Sequence, residues 1–198
     1  MQGFKTNLLP DHGQVFYLAD VLEPAAQQDY FQQLLSQVRW QQEVIHMFGR
    51  QIQLKRQVAW YADAGLSYRY AGQTKQPESW IPVLTMLKQA IEAHLQLTFN
   101  ACLLNYSANG SQGMGWHSDD EPEIEPDSPI ASVSLGAERR FAFRSKDKSA
   151  VIEQWLAPGS VLLMQGQTQR YWQHQLMLNR RIKAPRINLT FRQMKCRS

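Results

Sequence analysis

Hydrophobic positions recur at helical spacing twice in the first half of the chain. Phe31, Leu34, Leu35 and Val38 fall at i, i+3, i+4 and i+7 after Glu23-Pro24. That is the apolar stripe of an amphipathic helix, with its proline where the first turn has no hydrogen bond to lose. Leu84, Leu87, Ile91 and Leu95 repeat the arrangement behind Pro82 and predict a second helix. Before the first helix, Val15-Phe16-Tyr17-Leu18 reads as a short strand. Residues 44–70 mix short β-prone pieces with Gly49, Gly65 and several cations, the pattern of hairpins near a surface.

From Asn100 the period shortens to that of strands. Ala101-Cys102-Leu103-Leu104, residues 130–135, Phe141-Ala142-Phe143, and residues 151–156 and 160–164 are short apolar runs divided by Gly, Pro and polar turns. A succession of short strands predicts a sandwich or jelly roll. A long polar loop, residues 109–129, separates the first two runs. In the last strand Arg186, Asn188, Thr190 and Arg192 alternate strictly with Ile187, Leu189 and Phe191, giving one polar and one apolar face. No repeat, low-complexity tract or linker interrupts the chain.

Composition narrows the classes. A length of 198 residues, 43% of them hydrophobic, fits one domain with its own core. No apolar run is long enough to cross a bilayer, and Met1-Gln2-Gly3-Phe4-Lys5 lacks the apolar centre of a signal peptide. An intracellular protein that does not engage membranes is the expectation. Cys102 and Cys196 cannot form a disulfide framework and neither has a neighbouring sulfur for zinc, so both are read as reduced. A formal charge of +4 and a pI near 9.1 are compatible with a polyanionic partner, and equally with a solvated basic face.

The candidate chemistry starts at Gly115-Trp116-His117-Ser118-Asp119-Asp120, where an imidazole and a carboxylate two residues apart point to one side of an extended segment. A third ligand would complete the 2-His-1-carboxylate set of non-haem iron oxygenases, which leaves coordination positions open. His174 is a plausible third ligand. It lies close in sequence to the arginine-bearing strand, whose guanidinium groups suit a small dicarboxylate because they bind carboxylates in two-point fashion. Solvent exposure is the plain alternative for that polar face, as a hydrogen-bonded surface loop is for the His-x-Asp pair.

With these residues in hand, the sequence resembles the AlkB-type iron(II)- and 2-oxoglutarate-dependent nucleic-acid dealkylases. The family's His-x-Asp, later His and Arg-x-Asn-x-x-x-Arg match His117, Asp119, His174, Arg186, Asn188 and Arg192. The resemblance runs from about Phe48 to Phe191 and looks closest to the duplex-DNA repair members. It implies a mainly β fold with flanking helices, a double-stranded β-helix (jelly-roll) core with an N-terminal nucleotide-recognition lid. Residues 1–98 would carry the helices and lid, and residues 99–198 the catalytic core. It implies Fe(II) on His117, Asp119 and His174, with 2-oxoglutarate and molecular oxygen as co-substrates. Asn105, Tyr106, Arg186, Asn188 and Arg192 are the co-substrate candidates. One departure stands out: the family's Asn-x-Tyr reads Asn105-Tyr106-Ser107 here, and a one-residue offset in a strand turns a side chain to the other face. Tyr106 reaches the co-substrate only if a bulge restores it, and otherwise Ser107 or a water takes its place.

The implied substrate is alkylated DNA, duplex first and single strands as well, repaired at N1-methyladenine and N3-methylcytosine with release of formaldehyde, succinate and carbon dioxide. A base inside a duplex must leave the stack, at a cost of roughly a few kcal/mol. Met47-Phe48-Gly49 resembles the hydrophobic finger that would fill the gap, against which stands ordinary core packing of Phe48. Tyr68 and Tyr70 are similar to the family's pocket aromatics, Arg56 is a further substrate contact, and Asn179-Arg180-Arg181 resembles a basic loop on the opposite strand. Asp120 and Glu121 have two readings, contacts to a cationic methylated base or solvated loop acids. The resemblance points to a monomer, cytoplasmic in a bacterium and nuclear in a eukaryote. The alternatives are an RNA or protein N-demethylase or hydroxylase of the same chemistry, and a catalytically idle nucleic-acid-binding module.

Overall fold

The computed structural model describes residues 6–47, 50–66, 68–70 and 73–195. Its larger sheet has the strand order β1 (Gln14–Leu18), β11 (Val161–Gln165), β8 (Ile130–Gly136), β13 (Arg186–Arg192), β6 (Ala101–Ser107), β3 (Arg50–Ala62) and β2 (Gln41–Met47). A smaller sheet runs β10 (Val151–Leu156), β9 (Arg139–Ser145), β12 (Trp172–Leu176) and β7 (Met114–His117). A separate hairpin joins β4 (Tyr68–Tyr70) to β5 (Gln73–Lys75). The ladders are antiparallel throughout. This is the mainly β jelly roll with flanking helices that the short-strand pattern predicts.

The larger sheet is covered on both faces, so its central strands are buried on both sides, as all but the last residue of β8 are. On one face lie α1 (Pro24–Gln37) and α2 (Pro82–Leu95), each with proline in its first turn and no side-chain cap. Phe31, Leu34 and Val38 from the first helical region and Leu84, Leu87, Ile91 and Leu95 from the second pack with Leu104, Val133, Leu135, Ile187, Leu189 and Phe191. Each such burial contributes roughly 1.5 to 3 kcal/mol. Leu35, at the margin of the stripe, stays partly in solvent. On the other face Ile130, Leu162 and Met164 meet Phe141, Phe143, Leu156 and Trp172 of the smaller sheet.

Gly136 shows how tightly the β8–β9 turn is placed. Its φ of +83° lies in the left-handed region, and a Cβ there would come within 2.5 Å of the Pro185 carbonyl oxygen. Cys102 is a buried free thiol whose pKa burial pushes up, and Cys196 lies outside the described residues. No helix of the described residues is long and apolar enough to cross a membrane.

Candidate metal and anion site

The site begins with a strand pairing. β12 lies against β7 with His174 directly opposite His117, and facing residues of an antiparallel pair share one side of the sheet. Their rings meet edge to face at 4.2 Å, and Phe141 stacks on His174 at 5.4 Å. β7 ends at His117, and the chain enters its loop with Asp119 two residues on. Asp119 Oδ1 stands 3.7 Å from His117 Nε2 and 3.8 Å from His174 Nε2. One ligand atom from each of the three side chains lies within 4.8 Å of the others. Two imidazoles and a carboxylate suit a divalent first-row metal and leave further positions open.

Protonation fits that use. His117 Nδ1 is 2.8 Å from the Gly115 carbonyl, which can only accept, so Nδ1 is the donor in that contact and Nε2 is the nitrogen turned toward Asp119. Burial pulls His174 down to about 4, with nearby Asp119 only partly opposing it. Burial would push Asp119 up, but the Arg192 guanidinium and both imidazoles outweigh it and hold the carboxyl below its ordinary range. At neutral pH His174 is therefore neutral and Asp119 ionised, the forms that bind metal. With His174 uncharged, its 3.8 Å contact with Asp119 is not an ion pair.

β13 runs along this chamber. Its polar row does not face solvent: Arg186, Thr190 and Arg192 are buried, and Asn188 donates to Ser132 Oγ at 2.8 Å and to the Val133 carbonyl at 2.9 Å. Arg192 Nη2 lies 2.9 Å from Asp119 Oδ2, and its Nη1 3.7 Å from Glu121. Arg186 is different. It donates to Ser134 Oγ at 2.9 Å and pairs with no carboxylate among the described residues. Burial, followed by the charge of Arg139, pulls its pKa to about 9, so it remains a cation at neutral pH. Arg139 is itself buried and held by the carbonyls of Gln112 and Met177, each at 2.8 Å. An uncompensated buried guanidinium is costly and fits a site for a carboxylate from outside.

The register of β6 settles the tyrosine. Asn105, Tyr106 and Ser107 pair in unbroken sequence with Asn188, Ile187 and Arg186, with no bulge. Asn105 and Ser107 line the chamber with Arg186 and Asn188. Tyr106 points to the opposite face and packs against Trp40 at 5.6 Å. Tyr106 as a co-substrate contact is thus corrected, and Ser107 occupies that side.

A cavity of about 420 Å³ adjoins the triad, lined by His117, Asp119 and Arg192 together with Arg56, Val58, Trp60, Glu78, Asp120 and Glu121. Arg56, Asp120 and Glu121 are therefore gathered on this cavity, with Arg56 lining the chamber as well, and Lys146 stands 3.7 Å from Asp120. Tyr68 and Tyr70 have their backbone in β4, their side chains lie outside what the structure describes, and Phe48 is outside the described residues. Arg180 and Arg181 are exposed in the turn after β12 and line neither chamber nor cavity. That turn is held where Gly110 meets the Asn179 backbone so closely that no Cβ fits. Sequence reasoning passed over Ser132, Ser134, Arg139, Trp60 and Gln169. Spacing carried a signal for some of these: Ser132 and Ser134 alternate inward on β8, and Trp60 follows Arg56 and Val58 at every second position of β3.

Similarity to known proteins agrees with this geometry. The chain is 42% identical over 158 residues to the DNA oxidative demethylase ALKBH2 of Homo sapiens, covering 76% of this chain and 60% of that protein. It is 38% identical over 172 residues to the alpha-ketoglutarate-dependent dioxygenase alkB homolog 3 of Bos taurus, covering 82% and 59%. The chain thus spans about three fifths of the length of these relatives. The solved structure of OsALKBH1 superposes with a TM-score of 0.63 at 21% identity, covering 90% of this chain and 97% of that one, a likeness of fold. These relatives bear out the AlkB-type resemblance. The 2OG-Fe(II) oxygenase superfamily matches residues 14–192, from β1 through the last arginine of β13, and the His117, Asp119 and His174 cluster lies within that span. The chain belongs to the 2OG-Fe(II) oxygenase superfamily.

Proposed function

We propose that this chain is an iron(II)- and 2-oxoglutarate-dependent dealkylase that removes N-methyl groups from N1-methyladenine and N3-methylcytosine in DNA. The observation that carries it is the metal-ready triad in one chamber with Arg186, a buried arginine that has no carboxylate partner among the described residues. The printed names of the ALKBH2 and alkB homolog 3 relatives support the same reading.

His117, Asp119 and His174 would hold the iron, which when bound supplies the oxidising chemistry by which an N-methyl group is hydroxylated and lost as formaldehyde. The chain's own part is to bind, orient and exclude water. Arg186 and Ser134 receive the distal carboxylate of 2-oxoglutarate, with Asn105, Ser107 and Asn188 along its length and Arg192 at the end nearest Asp119. Phe141, Leu103 and Met164 give the chamber its dry wall. Asp120 and Glu121 on the adjoining cavity attract the positive charge that methylation places on the base, and Arg56 contacts its backbone. Tyr68 and Tyr70 stack on the extruded base, Phe48 fills the gap left behind, and Arg180 and Arg181 grip the opposite strand through its phosphates. One domain acting as a monomer is sufficient for this, in the cytoplasm of a bacterium or the nucleus of a eukaryote.

The test is release of succinate and formaldehyde with methylated duplex DNA, methylated single strands and methylated RNA in parallel. Release that is greatest on duplex DNA is the expected result. Release on RNA alone overturns the substrate class, and binding without release returns the chain to an idle nucleic-acid module.

A further inference from the structure

The metal ligands are not equally well held. His117 and His174 belong to a ladder, so the backbone of each is fixed by its neighbours. Asp119 lies two residues beyond the last residue of β7, in a loop where no sheet partner is available to its amide. A glutamine side chain from elsewhere takes that role. Gln169 Oε1 accepts the Asp119 N–H at 2.9 Å.

Gln169 is itself anchored. It sits in the short helical turn α3 (Thr168–Tyr171) that leads into β12, so its backbone is placed by the strand carrying His174. Its Nε2 reaches Met164 Sδ of β11 at 3.5 Å, and its carbonyl accepts from Lys146 Nζ at 2.9 Å. Lys146 in turn approaches Asp120, and Ser118 Oγ donates to the Trp172 carbonyl at 2.9 Å. The loop on both sides of Asp119 is therefore stitched to the same turn. The carboxylate has a second constraint: Arg192 takes Oδ2 and leaves Oδ1 toward the imidazoles. Arg192 decides which oxygen is presented, and Gln169 decides where the Asp119 backbone stands.

We propose that Gln169 is a positioning residue for Asp119, and that its amide oxygen sets the metal affinity by ordering the carboxylate ligand before metal arrives. This rests on the reading of His117, Asp119 and His174 as metal ligands. Partners that orient a ligand typically contribute about 10- to 100-fold in metal affinity. Gln169→Leu keeps the bulk and removes the acceptor, whereas Gln169→Glu keeps an oxygen that can accept the same N–H.

The experiment is titration of the metal-free full chain with Co(II) alone, together with its metal-free melting temperature. Gln169→Leu is expected to bind Co(II) about 10- to 100-fold more weakly, with melting unchanged to within about 2 °C. Gln169→Glu should stay within about threefold of the unmodified chain. Unchanged Co(II) affinity in the Leu variant overturns the proposal, because Arg192 alone then suffices. So does an equal loss in the Leu and Glu variants, or a lower metal-free melting temperature in the Leu variant, which would make Gln169 a part of the fold. Asp119→Ala separates the underlying reading: if it too binds Co(II) normally, the metal site itself has been misassigned, whatever Gln169 does.

Discussion

Arg186 and Arg192 stand at the two ends of one strand, on the same face, and are 4% and 6% exposed. Their surroundings are opposite. Arg192 is neutralised from within by Asp119 and Glu121, while Arg186 has a serine hydroxyl, a neighbouring arginine and no carboxylate among the described residues. A buried pair is costly to break, whereas a buried charge with no partner is a cost already present in the folded chain. The difference separates the two ends by electrostatics: Arg192 lines the chamber with its charge already met by the ligand loop, and Arg186 keeps its charge for something that must arrive. The two ends of one polar row are thus separable by experiment.

The largest effect is expected at Asp119, the carboxylate paired with Arg192. Asp119→Ala removes both a metal ligand and the partner of Arg192, so turnover should vanish, as it should in His117→Ala and His174→Ala, where only a ligand is lost. Succinate release with iron as the sole metal checks all three, and normal activity in any one removes that residue from the triad. Next, Arg192→Leu leaves Asp119 buried without its cation and should cost about 3 to 5 kcal/mol in a denaturant titration. A loss below about 1 kcal/mol would mean that the pair is not an internal support.

Arg186→Leu should behave in the contrary way. The metal-free, ligand-free chain should unfold at the same denaturant concentration or a higher one, because an unpaired buried charge has gone. Its half-saturating 2-oxoglutarate concentration should rise on the order of 100-fold, the equivalent of about 2.7 kcal/mol for a lost charged contact. An unchanged requirement in the folded variant would sink the anion-site reading. Acid offers a smaller effect on the paired end. Asp119 in the folded chain lies below its ordinary value, so the stability it gives is present above that value and is lost as pH falls. His174 is held neutral down to about 4 against an ordinary 6.5, so its contribution is complete above 6.5 and lost between 6.5 and about 4. Both signs agree: metal-free stability should fall with acidification from about pH 6.5, by up to about 1.4 kcal/mol per pH unit for each group titrating. A flat profile from pH 7 to 5 would contradict it. The smallest effect serves as a control for exposure. Arg140 and Glu153 pair at 3.2 Å on the outer face of the smaller sheet, and Glu153→Gln should shift stability by less than about 0.5 kcal/mol.

Alternation alone could identify the two faces of β13 without saying which one water would touch. β10 makes the point by contrast. Its solvent-facing side carries Val151 and Trp155, 57% and 46% exposed, while the all-polar row of β13 is enclosed. What reversed the usual order is tertiary: Ser132, Ser134 and Asp119 each take one member of the β13 row, and these partners come from strands and loops remote in sequence. Both helices were legible because leucines at 3.6-residue spacing behind a proline have few other uses. His117 and Asp119 were legible through their spacing, and His174 became a candidate by type and position. The offset at Tyr106 was also legible, since the period of a strand is rigid and the unbroken β6 register kept it so. Gln169 was not. A glutamine in a four-residue turn carries no periodic signal, and its function exists only through one hydrogen bond across 50 positions.

The pairing of His117 with His174 carries a consequence for how the chain acquires its site. The two residues come from strands far apart in sequence, and such contacts form late, after the intervening loops have been closed. A slip of one residue between β7 and β12 would not weaken the pair gradually but would turn one imidazole to the far side of the sheet. A site that needs both imidazoles on one side would therefore be complete only in the aligned chain. An ion added during refolding would selectively trap the aligned form, so recovery of metal binding should trail recovery of β structure and report a later, stricter event.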